Sequence, residues 1–526
     1  MSKAGQQIVS NTLIVGLEVH VELTSRTKMF SRCPSPACPE FESGEPNTWI
    51  DPVVLGLPGA LPVVNKAAVE LAMMVGLALE CQIAPVTRWD RKSYFYPDLP
   101  KGYQISQYDL PLCFDGAVDL PAIDERGFFV LDSSGRAVTE PSRIGIIRAH
   151  LEEDAGKLLH EAPGGAAIDF SIADYNRAGT PLLEIVTQPD FRSADQVVAF
   201  AKLLRTICRF LGASEGIMQK GHMRFEPNIN CHLTLDDGTL VKTPVVEIKN
   251  LNSFKALKGA IEYEALHQPH RWRQDLREMG RGMKITRGWD DHREQTYVQR
   301  EKEDAHDYRY FPDPDLPAVQ IAPAWVERAR ARVPELPVAR LRRYVGSYGL
   351  AAKEATALVE ERETCFFYEA CTAELAAAGV EPVRAGKIAA NFLLQSGMKR
   401  ANERGVPLHE LGISPAQVAA VGRLREDGRL SAAGADELFG LLCEPGVPAD
   451  AEHLASERGL LIVRDDAAIE KWIDQVLAAN QPIVEQIRAG KQQAVGRLVG
   501  ETMKLASGSA DAKTVRELIL KRIGAG

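Results

Sequence analysis

Leu13-Ile14-Val15-Gly16-Leu17-Glu18-Val19-His20-Val21-Glu22-Leu23 is apolar at every odd position. Successive side chains of a β-strand point to opposite faces. The run therefore predicts a strand over Asn11–Leu23 with one face for a core and Glu18, His20 and Glu22 together on the other. Ionisable groups two residues apart on one strand face lie close enough to share a ligand.

The same pattern returns downstream. In Phe225-Glu226-Pro227-Asn228-Ile229-Asn230-Cys231-His232-Leu233 the odd positions again take the apolar face, leaving Glu226, Asn228, Asn230 and His232 opposite. Val245–Leu251 places Glu247 and Lys249 on one face, and Pro181–Val186 sets Glu184 inside an apolar run. His150-Leu151-Glu152-Glu153-Asp154 puts three acids at the end of another strand. A carboxylate in an apolar strand is costly to bury unless it is paired or metal-bound. One shared cation explains five such strands most simply, and oxygen ligands with one imidazole suit Mg²⁺. The alternative is that each acid faces solvent or pairs with Arg or Lys.

Strands are expected at Asn11–Leu23, Ile144–Asp154, Pro181–Thr187, Arg224–Leu235 and Pro244–Leu251, and helices at Lys66–Leu79, Ala194–Leu211 and Ser253–His267. This is an α+β domain on a large, mostly antiparallel sheet. Beyond it the chain is rich in Ala, Leu, Glu and Arg with helical periodicity, broken at Ser347–Gly349, Gly405–Pro407 and Glu444–Ala449. The expected division is 11–320 for the sheet domain, 321–445 for a helical bundle and 446–526 for a helical tail.

Composition bounds the rest. The 526 residues carry a formal charge of −9 with 45% apolar and 25% charged residues, which excludes a disordered or collagen-like chain. Nine scattered cysteines fit a reducing compartment. No run approaches a membrane span, and Met1–Val9 lacks the apolar core of an export signal, so a cytoplasmic location is expected. The Walker phosphate loop, the G-x-S-x-G elbow and H-E-x-x-H are absent, and Gly280-Arg281-Gly282 lacks the third glycine of a dinucleotide fingerprint. Cys33 and Cys38 do not complete a tetrahedral zinc site by themselves.

Lys92-Ser93-Tyr94-Phe95-Tyr96-Pro97-Asp98-Leu99-Pro100-Lys101-Gly102-Tyr103 is a stiff loop, suited either to holding polar heads in place or to capping a core. Asp304–Asp315 is similar. From Arg488 onward eight cations face three acids, with Gly490, Gly496, Gly500 and Gly508 interspersed. Such a tail is either a grip for RNA phosphates or a solvated helix surface.

Gly16-Leu17-Glu18-Val19-His20-Val21, Leu57–Pro62, Lys92–Gln107, His150–Lys157, Asp174–Glu184, Val246–Phe254 and Lys302–Pro317 together resemble the B subunits of the tRNA-dependent amidotransferases, GatCAB. The likeness runs from about residue 11 to the end, is most specific in the first domain, and gives the tail a YqeY-like character. It implies a cradle-shaped first domain and a glutamine-dependent, ATP-using carbon–nitrogen ligase. A chain of this kind would phosphorylate the side-chain carboxylate of Glu-tRNA(Gln) or Asp-tRNA(Asn). An amidase-type A subunit would supply ammonia, and a small C subunit would complete a heterotrimer. By motif, Glu18, His20, Glu153, Glu184, Glu226 and Glu247 would surround Mg²⁺, with Glu18, His20, Glu247 and Lys249 meeting ATP. Lys92, Lys101 and Glu153 would sit near the mouth of an ammonia channel, with Glu153, Glu184, Lys92 and Lys101 catalytic. Arg488, Lys491, Arg497 and Lys504 would grip the misacylated tRNA.

Two departures stand out against that family. Phe225-Glu226 replaces its usual Cys-Asp, and Asp51-Pro52-Val53-Val54 stands where many relatives have a second cysteine pair, so no structural zinc is expected. Two rival readings are the archaeal E subunit and a non-catalytic tRNA scaffold. The short 290–330 connection leaves no space for the inserted domain of the former, and the polar-face carboxylates speak against the latter.

Overall fold

The computed structural model describes residues 6–124, 129–139, 141–162, 165–280, 283–301, 308–446, 450–462, 466–488, 492–506, 510 and 512–524. The chain forms two compact units: Met1–Val130 with Ala137–Arg340, and Leu131–Arg136 with Leu341–Gly526.

The first unit is built on a thirteen-stranded sheet. Ten of its strands form one continuous path: β1 (Ile8–Glu22), β2 (Asp90–Ser93), β3 (Tyr103–Ser106), β4 (Ser142–Glu153), β5 (Pro181–Thr187), β6 (Met223–Leu235), β7 (Val246–Lys249), β8 (Ile285–Asp290), β9 (Gln295–Glu301) and β10 (Phe311–Pro312). Their spatial order is β9-β8-β7-β6-β1-β5-β4-β3-β2-β10. Every pair along it is antiparallel except β7 with β8. The all-odd apolar face of β1 lies in the core: Val15, Leu17, Val19 and Val21 are buried. Removing each such side chain from water contributes roughly 1.5–3 kcal/mol.

Helices α1 (Lys66–Ala78), α2 (Ala194–Phe210) and α3 (Phe254–Asp275) cover the core face. Asn65, Ser193 and Ser253 cap them, each side chain accepting hydrogen bonds from the first turn. The third helix outruns its expected end at His267 and passes through Pro269. A proline removes the N–H owed to the carbonyl four residues earlier. Here that acceptor, Ala265 O, takes the Nδ2 of Asn11 at 3.2 Å instead, and buried Gln268 and Trp272 carry the helix onward.

The segment after β1 is pinned by a buried cation. Lys28 is fully buried, and its Nζ donates to the carbonyls of Trp49 (2.6 Å) and Tyr175 (3.3 Å). Cys33 packs beside it against Val54 and Ala178. Burial lowers the Lys28 ammonium from 10.5 to about 8. Between those values the unfolded chain holds a proton that the native state has released, so this group's contribution to stability rises with pH. Denaturant unfolding of wild type and Lys28→Met should show the difference moving in favour of wild type by roughly 2 kcal/mol between pH 8 and 10. A pH-independent difference would contradict this.

From Leu341 onward the regular elements of the second unit are helices among the described residues, apart from one β-bridge between Leu430 and Leu461. Its elements include Arg362–Ala377, Pro382–Asn391, Pro415–Glu426 and Ala432–Leu442, and left-handed Gly349 and Gly405 mark two of the expected breaks. The tail has its own core, with Ile469, Ile473, Ile487, Leu498, Val515 and Ile519 buried together. Among the described residues no helix is long and apolar enough to cross a membrane.

Candidate functional site

The sheet's polar face bears a cavity of about 380 Å³. Strand pairing, not loop geometry, assembles it. His20 on β1 is the direct partner of Glu184 on β5, which is the direct partner of His150 on β4. On the other side of β1, Glu18 pairs with Glu226 of β6, whose Asn228 pairs with Glu247 of β7. Directly paired residues on one sheet face hold their Cβ atoms about 4.5–5.5 Å apart.

Two groups result. In the first, ligand atoms of His20, Glu152 and Glu184 lie within 4.8 Å of one another. His20 Nε2 is 3.5 Å from Glu184 and 3.7 Å from Glu152, and His150 Nε2 is 3.5 Å from Glu184. Ser106 Oγ donates to Glu152 at 3.1 Å. In the second, Glu18, Glu226 and Glu247 converge equally closely. Lys249 Nζ reaches Glu226 at 2.6 Å and Glu247 at 3.6 Å, Lys284 Nζ lies 3.4 Å from Glu247, and Asn228 donates to Glu18 at 2.9 Å. The single shared cluster expected from the strands is thus divided in two along one cavity.

Electrostatics separates the members. Burial opposes the His20 charge, but the hydrogen bond and charge of Glu184, with Glu152 and Glu226, lift it to about 9. Its neighbour His150 goes the other way, lowered by burial to about 4. Burial and Glu184 raise Glu152. Glu184, despite burial, is held well below the usual carboxylate range by His150 and His20. Burial raises Glu18, with Glu184, Glu247 and Glu226 adding to it against Lys284. A crowd of part-buried carboxylates with an imidazole is a donor set for a hard divalent cation.

Glu153, expected beside the metal, is brought to neither group. β4 carries an extra residue near Arg148, where the register with β5 slips between Val186 and Thr187. Such a bulge shifts the alternation by one. Ile144 and Ile146 face the core before it, and Ala149 and Leu151 after it. His150 and Glu152 therefore turn to the cavity, while Glu153 shares the face of Leu151. There its carboxylate is paired with Lys101 and accepts from Ile105 N at 2.9 Å, with only 9% and 4% of the Lys101 and Glu153 side chains exposed. Lys92 stands on the cavity side instead, its ammonium 5.0 Å from the Tyr308 ring centroid and 5.8 Å from that of Tyr94.

Other polar-face residues take supporting places. Glu22 and Asp154 are buried around Arg224, which lies 3.4 Å from Glu22 and pairs with Asp154, and Arg177 adds a contact to Asp154 at 3.3 Å. Asn230 and His232 line a neighbouring, mostly apolar hollow of about 370 Å³ with Gly16, Val186, Pro189 and Met279. In the second unit, Arg497 and Lys504 are exposed, and Arg497 lies 3.5 Å from Glu501. Arg488 Nε donates to Ile523 O at 3.4 Å, whereas Lys491 lies outside the described residues. A roomier hollow of about 890 Å³ in that unit, lined by Arg384, Lys387, Arg425 and Met503 among others, brings together no comparable set of acids among the described residues.

Sequence reasoning quoted the His150–Asp154 run but chose Glu153 from it instead of His150 and Glu152, and it missed Arg148, because nothing in Ser142–Glu153 announces the extra residue. Tyr108 was missed as well, since only the pairing of distant strands brings it to the cavity.

Comparison with known proteins gives the family. The family described as the GatB/GatE catalytic domain matches residues 13–327, and the GatB domain matches residues 374–523. The chain is 41% identical over 506 residues to the B subunit of the aspartyl/glutamyl-tRNA(Asn/Gln) amidotransferase of Thermomicrobium roseum, covering 96% of this chain and 97% of that one. To the corresponding chain of Rhodopirellula baltica it is 41% identical over 512 residues, 97% of each. To that of a Janthinobacterium species it is 42% identical over 517 residues, covering 98% and 99%. A match of this length, spanning the acid-bearing strands and the helical tail alike, makes the chain a member of the GatB family, the B subunits of the aspartyl/glutamyl-tRNA amidotransferases.

Proposed function

We propose that this chain activates the side-chain carboxylate of glutamate or aspartate misattached to tRNA, using ATP and Mg²⁺, and exchanges the activated oxygen for ammonia. The observation that carries the reading is the pair of carboxylate groups lining one cavity of the sheet. His20, Glu152 and Glu184 would hold one divalent ion, and Glu18, Glu226 and Glu247 stand ready beside it. Such an ion, when bound, would supply neutralisation of phosphate charge.

The chain's own residues do the positioning. Lys249 and Lys284 balance the second acid group and offer cations to phosphate oxygens. The apolar hollow beside Glu18 suits a nucleoside. His150, 3.5 Å from Glu184 on the adjoining strand, would orient that carboxylate. In the first half-reaction a carboxylate oxygen of the substrate attacks the terminal phosphorus of ATP, and ADP leaves. In the second, ammonia attacks the acyl phosphate carbon, phosphate leaves, and one proton is lost to give the amide. The ammonia comes from glutamine on an amidase-type A subunit, with a small C subunit completing a cytoplasmic heterotrimer. Lys101 and Glu153, buried on the opposite face of β4, would stand near its point of entry.

Purified with its A and C partners, the chain should convert Glu-tRNA(Gln) or Asp-tRNA(Asn) to the amide only when ATP, Mg²⁺ and glutamine are all present. Retained activity in excess chelator would count against the metal groups. Arg488, Lys491, Arg497 and Lys504 would hold the tRNA body. Arg497→Glu with Lys504→Glu should weaken tRNA binding by about tenfold at low salt, an effect that fades as salt rises. Unaltered binding in a filter assay would remove the tail from the interface.

A further inference from the structure

The cavity has a third wall that the acid groups do not use. It is built on the β4-β3-β2-β10 side of the sheet, several strands from Glu226 and Glu247. Tyr108 and Tyr310 stack there at 4.2 Å between ring centroids and 11° between planes, and Tyr108 leaves 52% of its surface exposed. Tyr108 N donates to Asp90 Oδ2 at 3.1 Å, and the neighbouring Tyr308 is held by its carbonyl, which accepts from Ser93 N at 2.9 Å. Tyr308 meets Tyr310 edge-on at 6.1 Å.

Two cations complete this wall. Lys92 lies over the Tyr308 and Tyr94 rings. Arg148 lines the same cavity, and its buried Nε has no hydrogen-bond partner among the described residues. The other cations of the cavity are committed: Lys249 to Glu226, and Arg224 to Asp154 and Glu22. Arg148 and Lys92 have no carboxylate within ion-pair distance among the described residues. A buried guanidinium donor without an acceptor is costly. Arranged beside a platform of aromatic rings, it fits a ligand that brings both an anion and a planar base.

An acceptor carboxylate entering a cavity lined by six acids is repelled unless cations meet it. We propose that this wall is the acceptor subsite: Arg148 and Lys92 receive the side-chain carboxylate of the aminoacyl group, and the Tyr108–Tyr310 pair stacks the terminal adenine of the RNA that carries it. The inference rests on the amidotransferase reading and adds a direction to it. Nucleotide lies on the β6–β7 side, acceptor on the β2–β10 side, and transfer occurs between them at His20, Glu152 and Glu184.

Adenine also belongs to ATP, so the test separates the two sources. With the full complex, tRNA(Gln) lacking its terminal adenosine should bind about tenfold more weakly than intact tRNA(Gln). Tyr108→Ala should bind both alike, while its affinity for ATP measured without tRNA stays at the wild-type value. Arg148→Gln should raise KM for Glu-tRNA(Gln) by about a hundredfold with KM for ATP unchanged, and Arg148→Lys should recover part of the loss. Weakened ATP binding in either variant would assign the wall to the nucleotide and overturn the proposal. So would Tyr108→Ala discriminating the two RNAs as wild type does. The RNA-binding arm needs no turnover. A wild-type complex that binds intact tRNA preferentially yet never amidates would therefore sink the amidotransferase reading and leave the wall standing.

Discussion

Glu184→Gln in the assembled complex is expected to lower amidation on the order of a thousandfold. Glu184 is the middle of the His20–Glu184–His150 row and lies 3.5 Å from both imidazoles. Its depressed pKa shows a carboxylate that stays ionised where Glu152 and Glu18 are pushed toward their neutral forms. The amide keeps the shape and one acceptor oxygen but removes the charge. His20 then loses the partner that holds it protonated without metal, and a bound ion loses its most anionic ligand. Phosphoryl transfer depends on charge neutralisation and position, so the loss should fall on the chemical step. Single-turnover assays at saturating ATP and tRNA would show this. A loss confined to KM for glutamine would place Glu184 elsewhere in the cycle.

Lys101→Met is the second large effect, and it acts on stability. Lys101 and Glu153 form a buried pair, and Glu153 also accepts from Ile105 N. Breaking such a pair strands a charge and costs about 3–5 kcal/mol. Lys101→Met should therefore unfold at markedly lower denaturant than wild type. The double variant Lys101→Met/Glu153→Gln should regain most of this, because the glutamine oxygen still accepts from Ile105 without carrying charge. If the pair stands where ammonia enters, the stable double variant stays poor in glutamine-dependent amidation. Activity returning together with stability would make the pair purely architectural.

Much of this site was legible in the amino-acid order alone. The strands of Glu18, Glu184, Glu226 and Glu247 were readable because two-residue periodicity is strong where one face is fully buried. Pro181–Thr187 was placed to the residue. What the sequence concealed was pairing. Nothing local says that β1 lies between β5 and β6, and that arrangement divides the acids into two groups. The phase of β4 was hidden for a related reason, since a bulge is an agreement between two strands. Helix α3 ran past Pro269 because its missing donor was supplied from Asn11, far away in the chain. The aromatic wall is split in the sequence between two stiff loops, and β10 pairing with β2 is what brings Tyr308 to Lys92 and Tyr310 to Tyr108.

The alternation of β1 has an evolutionary corollary. Deleting or inserting one residue between Val15 and Glu22 would exchange the two faces, sending valines into the cavity and Glu18 and His20 into the core. A change of two residues would preserve the faces and only slide their partners. A one-residue change within β1 would therefore keep both faces only with a compensating bulge of the kind β4 carries near Arg148.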